Sequence, residues 1–264
     1  MTGVPSSPEP GGRYEENRFF LRDDAWKKIE FSNTDQGRRL PAPPLQKPCP
    51  PGTERLGLPD GAAALTRLCG MPLSEAITRR ESVRKYTGES FTQEELSALL
   101  WATQGVRKVL NRASALRLVP SGGARHAFET YLAVSRVEGL APGLYRYLPF
   151  DGELVKLMED GDIGRKAASA CMDQTFVASA AVTFLWTVIP ARMEWRYDRA
   201  AHKMLAIDAG HVCQNLYLAC TALGAGNCAI AAYDREACDR LLGVDGKEEF
   251  TIYIAPVGRR GNKE

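Results

Sequence analysis

Polar and apolar positions change rhythm near residue 70 of this 264-residue chain. Before that point apolar residues are sparse and prolines dense. Ten of the sixteen prolines lie within residues 1–70, and Pro72 follows directly. Proline removes a backbone donor and locks φ, so a segment this rich in it resists helices and central strands. The pattern predicts an extended arm over 1–70, with Pro41-Ala42-Pro43-Pro44 favouring polyproline II. Phe19, Phe20, Leu21 and Trp26 are apolar spots at which parts of that arm would dock.

Beyond residue 70 the pattern becomes regular. Residues 72–80 read as a helix, with Pro72 in the tolerated first turn. Thr92-Gln93-Glu94-Glu95 is a capping box. It opens a helix with Leu96, Leu99, Leu100 and Thr103 on one face, stopped by Gly105. Residues 131–137 and 143–147 read as strands, and 162–172 as a helix. Residues 180–189 form a continuous apolar run rich in β-branched and aromatic side chains, as in a strand buried on both faces. Residues 202–223 predict a long helix, apolar nearly all round and closed by Gly224. Such a helix is buried, either centrally or in a subunit interface. A short strand at 228–231, a capped helix at 234–242 and a last strand at 250–257 complete the pattern. The interleaving points to an α+β or α/β domain over 71–264, a mixed sheet flanked by helices.

Composition narrows the classes. With 34 basic and 32 acidic residues the formal net charge is +2, which argues against a nucleic-acid or membrane-surface role. The longest apolar run is about half the ~20 residues a spanning helix needs. Residues 1–10 have no apolar core of the kind a secretory signal carries, so a cytoplasmic location is expected. The seven cysteines are odd in number and contain no C-x-x-C, which suits buried free thiols in a reducing compartment. No zinc spacing occurs, and His126, His202 and His211 form no H-E-x-x-H, so no metal is expected.

Three motifs compete for the chemistry. Gly224-Ala225-Gly226-Asn227-Cys228-Ala229 fits a dinucleotide glycine pattern. It follows a helix and opens a strand, the reverse of the required context, so it is set aside. No G-x-S-x-G is present, which removes the hydrolase reading. Arg80-Glu81-Ser82-Val83-Arg84 is stronger. Alternate positions of an extended chain face one way, so Arg80, Ser82 and Arg84 would present two guanidiniums and a hydroxyl to a phosphate. Pro120-Ser121-Gly122-Gly123-Ala124-Arg125-His126 offers two glycines for close approach to a flat ligand, with donors at Ser121, Arg125 and His126.

In order along the chain, these pieces resemble the FMN-dependent nitroreductase superfamily. Residues 80–86 are similar to its R-R-S-x-R-x-[FY] signature, and 120–125 to the P-S-[AG]-G-A-R loop of its SagB-type dehydrogenase branch. Residues 139–147 resemble that branch's G-L-x-P-G-L-Y-x-Y segment, and 208–216 its D-x-G-H-x-x-Q-N-L helix. The arm at 32–37 and 41–44 also resembles the branch's leader. The likeness implies a nitroreductase-like α+β fold and a homodimer with one FMN at each subunit interface. By position, Arg80, Ser82 and Arg84 would hold the phosphate and ribityl region, with Arg259 and Arg260 completing that pocket. Pro120, Ser121, Gly122, Gly123 and Arg125 would line the flavin, and the backbone of Ala229, Ile230, Ala231 and Ala232 would run along its ring.

The implied chemistry is hydride exchange at flavin N5, with NAD(P)H as candidate electron donor. Backbone donors would stabilise the reduced ring, so few side-chain acids and bases are needed. Azoline-oxidising members of the branch carry a Lys-Tyr pair before the D-x-G-H helix; this chain has Arg196-Tyr197. A guanidinium is a poor general base where an amine can be tuned, so Tyr197 would relay a proton and Arg196 would position substrate. Glu81 also stands where the signature carries a basic residue. The substrate is then a small conjugated molecule or a modified peptide, with azoline-to-azole oxidation included. The alternative is a flavin-binding or partner-docking subunit without catalysis.

Overall fold

The computed structural model describes residues 14–22 and 24–261. The arm expected to be extended is partly helical there. α1 covers Glu15–Arg22, β1 Arg55–Gly57 and α2 Gly61–Leu68. The helix at Gly61–Leu68 lies between prolines, where the chain is free of them, and Asp60 caps it by accepting from the N–H groups of Ala62 and Ala63. Then follow α3 (Leu73–Arg79), α4 (Gln93–Gln104), β2 (Val106–Asn111), β3 (Ser114–Arg117), β4 (Phe128–Val134), β5 (Gly143–Leu148) and β6 (Glu153–Glu159). The chain continues through α5 (Ile163–Ala170), α6 (Thr175–Ala178), β7 (Val182–Val188), α7 (Ala191–Tyr197), α8 (Ala201–Ala222), β8 (Ala225–Asn227), α9 (Arg235–Leu242) and β9 (Phe250–Arg259).

Local signals account for the helix starts. Thr92 and Glu95 form the reciprocal capping box of α4, and Asp234 caps α9 through Ala237 N–H. Seven strands make one sheet in the order β1-β6-β5-β4-β7-β9-β8, with β2 and β3 as a separate hairpin. The sheet was expected to be mixed, but every pairing between its strands is antiparallel. Short links such as 135–142 and 149–152 close hairpins and leave no room for crossovers. The mixed sheet was expected from the interleaving of helices and strands, but an antiparallel sheet covered on both faces interleaves in the same way, and coverage is independent of strand direction. Leu132, Phe184 and Ala255 pair across three strands and face the layer that holds α4 and α8. Tyr131, Leu185 and Ile254 alternate to the other face, against Ile163, Ala167, Cys238 and Leu242 of α5 and α9.

The long helix α8 is only half enclosed. Leu205, Ala209, Val212, Leu216 and Cys220 are buried, while Ala206, Ile207, Gly210, His211 and Gln214 are exposed. Among the described residues no helix is long and apolar enough to cross a membrane, and all seven cysteines are free thiols.

Candidate functional site

The basic–hydroxyl–basic segment lies extended against β8. Ser82 bridges to Asn227, and Val83 N–H donates to the Asn227 carbonyl at 2.9 Å. Gly226 makes this approach possible, since a Cβ there would stand 2.6 Å from the Val83 side chain. Val83 thus packs inward, while Ser82 and Arg84 are exposed on the other side. Tyr217 of α8 gathers the rest. Its hydroxyl is 3.0 Å from Ser82 Oγ and accepts from Ala229 N–H at 2.8 Å, and the Arg80 guanidinium lies 5.3 Å over its ring. Arg84 sits over the Phe176 ring at 5.9 Å. Neither Arg80 nor Arg84 makes an ion pair among the described residues.

The two expected C-terminal cations separate. Arg260 pairs with Glu81 and shares a cleft of about 580 Å³ with Arg80. This ion pair also neutralises the acid that stands in the basic position. Arg259, expected beside the phosphate, instead grips both Glu95 oxygens at 2.6 and 2.7 Å and lies 4.5 Å over Phe91. Successive strand residues face opposite sides, so one of the pair had to turn inward to the cap of α4. Ile230 is buried and bridges to Ile254, whereas Ala231 and Ala232 are exposed.

The glycine loop forms a second cluster. Gly122 N–H donates to Asp208 Oδ2 at 3.2 Å, and the Ser121 hydroxyl also bonds that carboxylate. Burial pushes the Asp208 carboxyl above its usual range, against the pull of these two donors. Gly123 has φ of 59°, and a Cβ there would stand 2.6 Å from the Tyr197 hydroxyl and 2.9 Å from Arg196 Nε. The loop and the Arg-Tyr pair are therefore in contact. Ala124 and His126 also take positive φ, at 56° and 45°, as does Asp198 after Tyr197, at 46°. Non-glycine residues pay for that backbone, and such strain clusters at functional sites. His126 Nε2–H donates to the Ala115 carbonyl at 2.9 Å and ties the loop to β3. Burial, and then Arg117, lowers its pKa to about 3.

Arg125, expected to line the flavin, is only 1% exposed. Its Nε donates to the Arg192 carbonyl at 2.6 Å and its guanidinium lies 4.8 Å over Trp195. Burial, then Arg192 and Arg196, brings its pKa down to about 10. It braces the loop from beneath. Pro120 leads into that loop and is exposed.

The two clusters attach to α8 nine residues apart, at Asp208 and Tyr217, or about 14 Å along the axis. No hydrogen bond, ion pair or ring contact joins them among the described residues. Tyr217 and Asn227 went unnoticed as site residues; aromatic and amide side chains within apolar runs read as core from sequence alone.

The sequence model of the nitroreductase family matches residues 77–259. Three relatives each carry the name "putative nitroreductase". That of Methanocaldococcus jannaschii is 30% identical over 188 residues, 71% of this chain and 91% of that protein. The structure from Ralstonia eutropha superposes with a TM-score of 0.66 at 25% identity, covering 85% of this chain and all of the other. The structure from Anabaena variabilis gives 0.65 at 26%, covering 80% of this chain and 42% of the other. Matched by the family model over most of its length and by a relative 30% identical over 71% of it, the chain belongs to the nitroreductase family, a family of generally FMN-dependent oxidoreductases.

Proposed function

We propose that the chain is an FMN-dependent oxidoreductase of the SagB-type kind, moving a hydride between flavin N5 and a small conjugated molecule or modified peptide, with NAD(P)H as electron donor. The observation that carries the reading is the convergence on Tyr217 of Arg80, Ser82 and the Ala229 segment. When bound, FMN supplies a two-electron carrier that exchanges hydride at N5.

The residues present fit that group. Arg80 and Arg84 keep guanidinium donors for a phosphate dianion, and Ser82 adds a neutral donor. Ala231 and Ala232, just beyond the Ala229 that Tyr217 holds, are exposed. Gly122 and Gly123 keep side chains off the loop that meets Tyr197. The Tyr197 hydroxyl is the group placed to pass a proton, and Arg196 is placed to orient substrate.

The separation of the two clusters along α8 supports a homodimer in which each FMN site draws on both subunits. The exposed face of α8 is small and apolar in part, with Ile207 50% exposed, which suits pairing with a second copy. The free thiols support a cytoplasmic setting.

The test begins with the absorption spectrum of purified protein and the mass of any released cofactor. Non-covalent FMN is expected, and a colourless protein that takes up no added FMN refutes the reading. Anaerobic mixing with NADH or NADPH should bleach the flavin; a flavin that no donor reduces favours the non-catalytic docking subunit. Sedimentation should show an FMN-loaded dimer, and a stable FMN-loaded monomer contradicts the shared site.

A further inference from the structure

Residues 24–40 precede the stretch that matches the family, 77–259, yet they pack on the Arg196–Tyr197 pair. The Trp26 ring meets the Tyr197 ring edge-on, with centroids 5.7 Å apart and planes at 64°. Phe31 tilts onto Trp26 at 6.4 Å. Gln36 Oε1 accepts from Arg196 Nη1 at 3.2 Å. Backbone bonds fasten the segment to the same corner. Gln36 N–H donates to the Trp195 carbonyl at 2.8 Å, and Trp195 Nε1–H donates to the Leu40 carbonyl at 2.9 Å. Further back, Lys203 Nζ donates to the Leu21 carbonyl at 2.6 Å.

We infer that residues 24–40 form a wall of the substrate site, and that Trp26 and Gln36 determine which acceptor reaches Tyr197. The inference rests on the reading that Arg196 and Tyr197 serve the redox site. The fastening bonds flank the pair in sequence and in space, from Trp195 to Lys203. A loosely draped tail would not make two bonds with Trp195, one with Arg196 and one with Lys203. A cleft of about 280 Å³ also runs between the two surfaces, walled by Thr34 and Asp35 on one side and by Glu194, Asp198 and His202 on the other. The segment therefore borders open space rather than sealing against the domain.

The chemistry of the wall names the class of acceptor. Trp26 remains 41% exposed and Phe31 49% exposed, so aromatic surface stands beside Tyr197. The Arg196 guanidinium lies 5.4 Å over the Tyr197 ring, and Gln36 holds one of its ends. Flat aromatic walls with a fixed guanidinium suit a planar conjugated molecule bearing a carbonyl or carboxylate. The Trp26 indole abuts the Tyr197 ring edge-on, so a planar molecule reaching the tyrosine would have to share that side with it, and its bulk would limit the number of fused rings that enter. Gln36 acts through Arg196 and is a positioning residue.

The test uses the full FMN-loaded chain and three planar probes: 1,4-benzoquinone, 1,4-naphthoquinone and 9,10-phenanthrenequinone. Dissociation constants come from perturbation of the flavin absorption band, which needs no turnover. Trp26→Ala should tighten the three-ring probe relative to the one-ring probe by roughly threefold or more, the scale of one aromatic contact. Trp26→Phe should fall between, and it stands in if the alanine variant does not fold. Gln36→Ala should weaken all three probes by a similar factor without changing their ratio. Equal ratios in wild type, Trp26→Ala and Trp26→Phe would overturn the inference. So would an FMN-loaded wild type that none of the probes perturbs, and the FMN reading would stand in both cases. A wild type that takes up no FMN refutes the functional reading and this inference together.

Discussion

Replacing Tyr217 by Phe removes one oxygen atom and should loosen both halves of the proposed phosphate-and-ring site. The hydroxyl holds Ser82 Oγ at 3.0 Å and accepts from Ala229 N–H at 2.8 Å, so two hydrogen bonds are lost together. Each is worth about 0.5–1.5 kcal/mol net, and the half-buried Ala229 N–H is left without its acceptor. The ring stays, so the Arg80 stacking survives and no cavity opens. The expected cost is about 1–2 kcal/mol, or a roughly five- to thirtyfold rise in Kd for FMN. Titration of flavin-stripped protein, read by quenching of flavin fluorescence, measures it. Riboflavin should weaken as well, because in the proposed site the Ala229 segment would run along the ring rather than the phosphate. A urea titration in parallel should show a lower midpoint at unchanged slope. Kd values within twofold of wild type for both flavins, with an unmoved midpoint, would refute the idea that Tyr217 joins the two segments.

Arg84→Ala should raise the Kd for FMN by about ten- to a hundredfold while leaving riboflavin within about twofold, since a charge-assisted phosphate contact is worth about 1.5–3 kcal/mol; equal losses for both would indicate misfolding. Tyr197→Phe should slow substrate turnover with FMN content retained, and wild-type rates across the whole pH profile would exclude a proton-relay role for the hydroxyl. His126 is held neutral, with its folded pKa lowered to about 3 from an ordinary value near 6.5. Its stabilising effect is therefore complete above about pH 6.5 and is lost as pH falls toward 3, by up to about 1.4 kcal/mol per unit. Urea midpoints at pH 7.5 and 5.0 should show this loss, and His126→Gln should flatten it. An equally steep decline in His126→Gln would assign the effect to other groups.

Local chemistry made several elements legible in the sequence. The Thr92–Glu95 capping box starts α4, and Asp234 starts α9, because a side chain within three residues satisfies the end of the helix. The apolar run at 180–189 contains β7, and the long apolar stretch at 202–223 is α8 within a residue at each end. Weaker patterns hid other elements. The hairpin strand Val106–Asn111 is almost wholly exposed and carries polar residues at successive positions, so no alternation marks it. α7, at Ala191–Tyr197, has only seven residues, too few for a helical period to stand out from background.

The sequence by itself determined which residues could carry the chemistry: the two guanidiniums and the hydroxyl at 80–84, the glycine pair at 122–123, and Arg196-Tyr197. A side chain's chemical type, and its neighbours along the strand, are local properties. Only the tertiary structure decided which of them share a surface. Burial turned Arg125 under its own loop, and the alternation of β9 gave Arg259 to Glu95 and Arg260 to Glu81. Folding also brought Trp26 and Gln36 more than 150 residues along the chain to lie against Tyr197 and Arg196. Such partners are chosen by long-range packing and by charge pairing among many possible contacts, and no short window of sequence contains both sides of the choice.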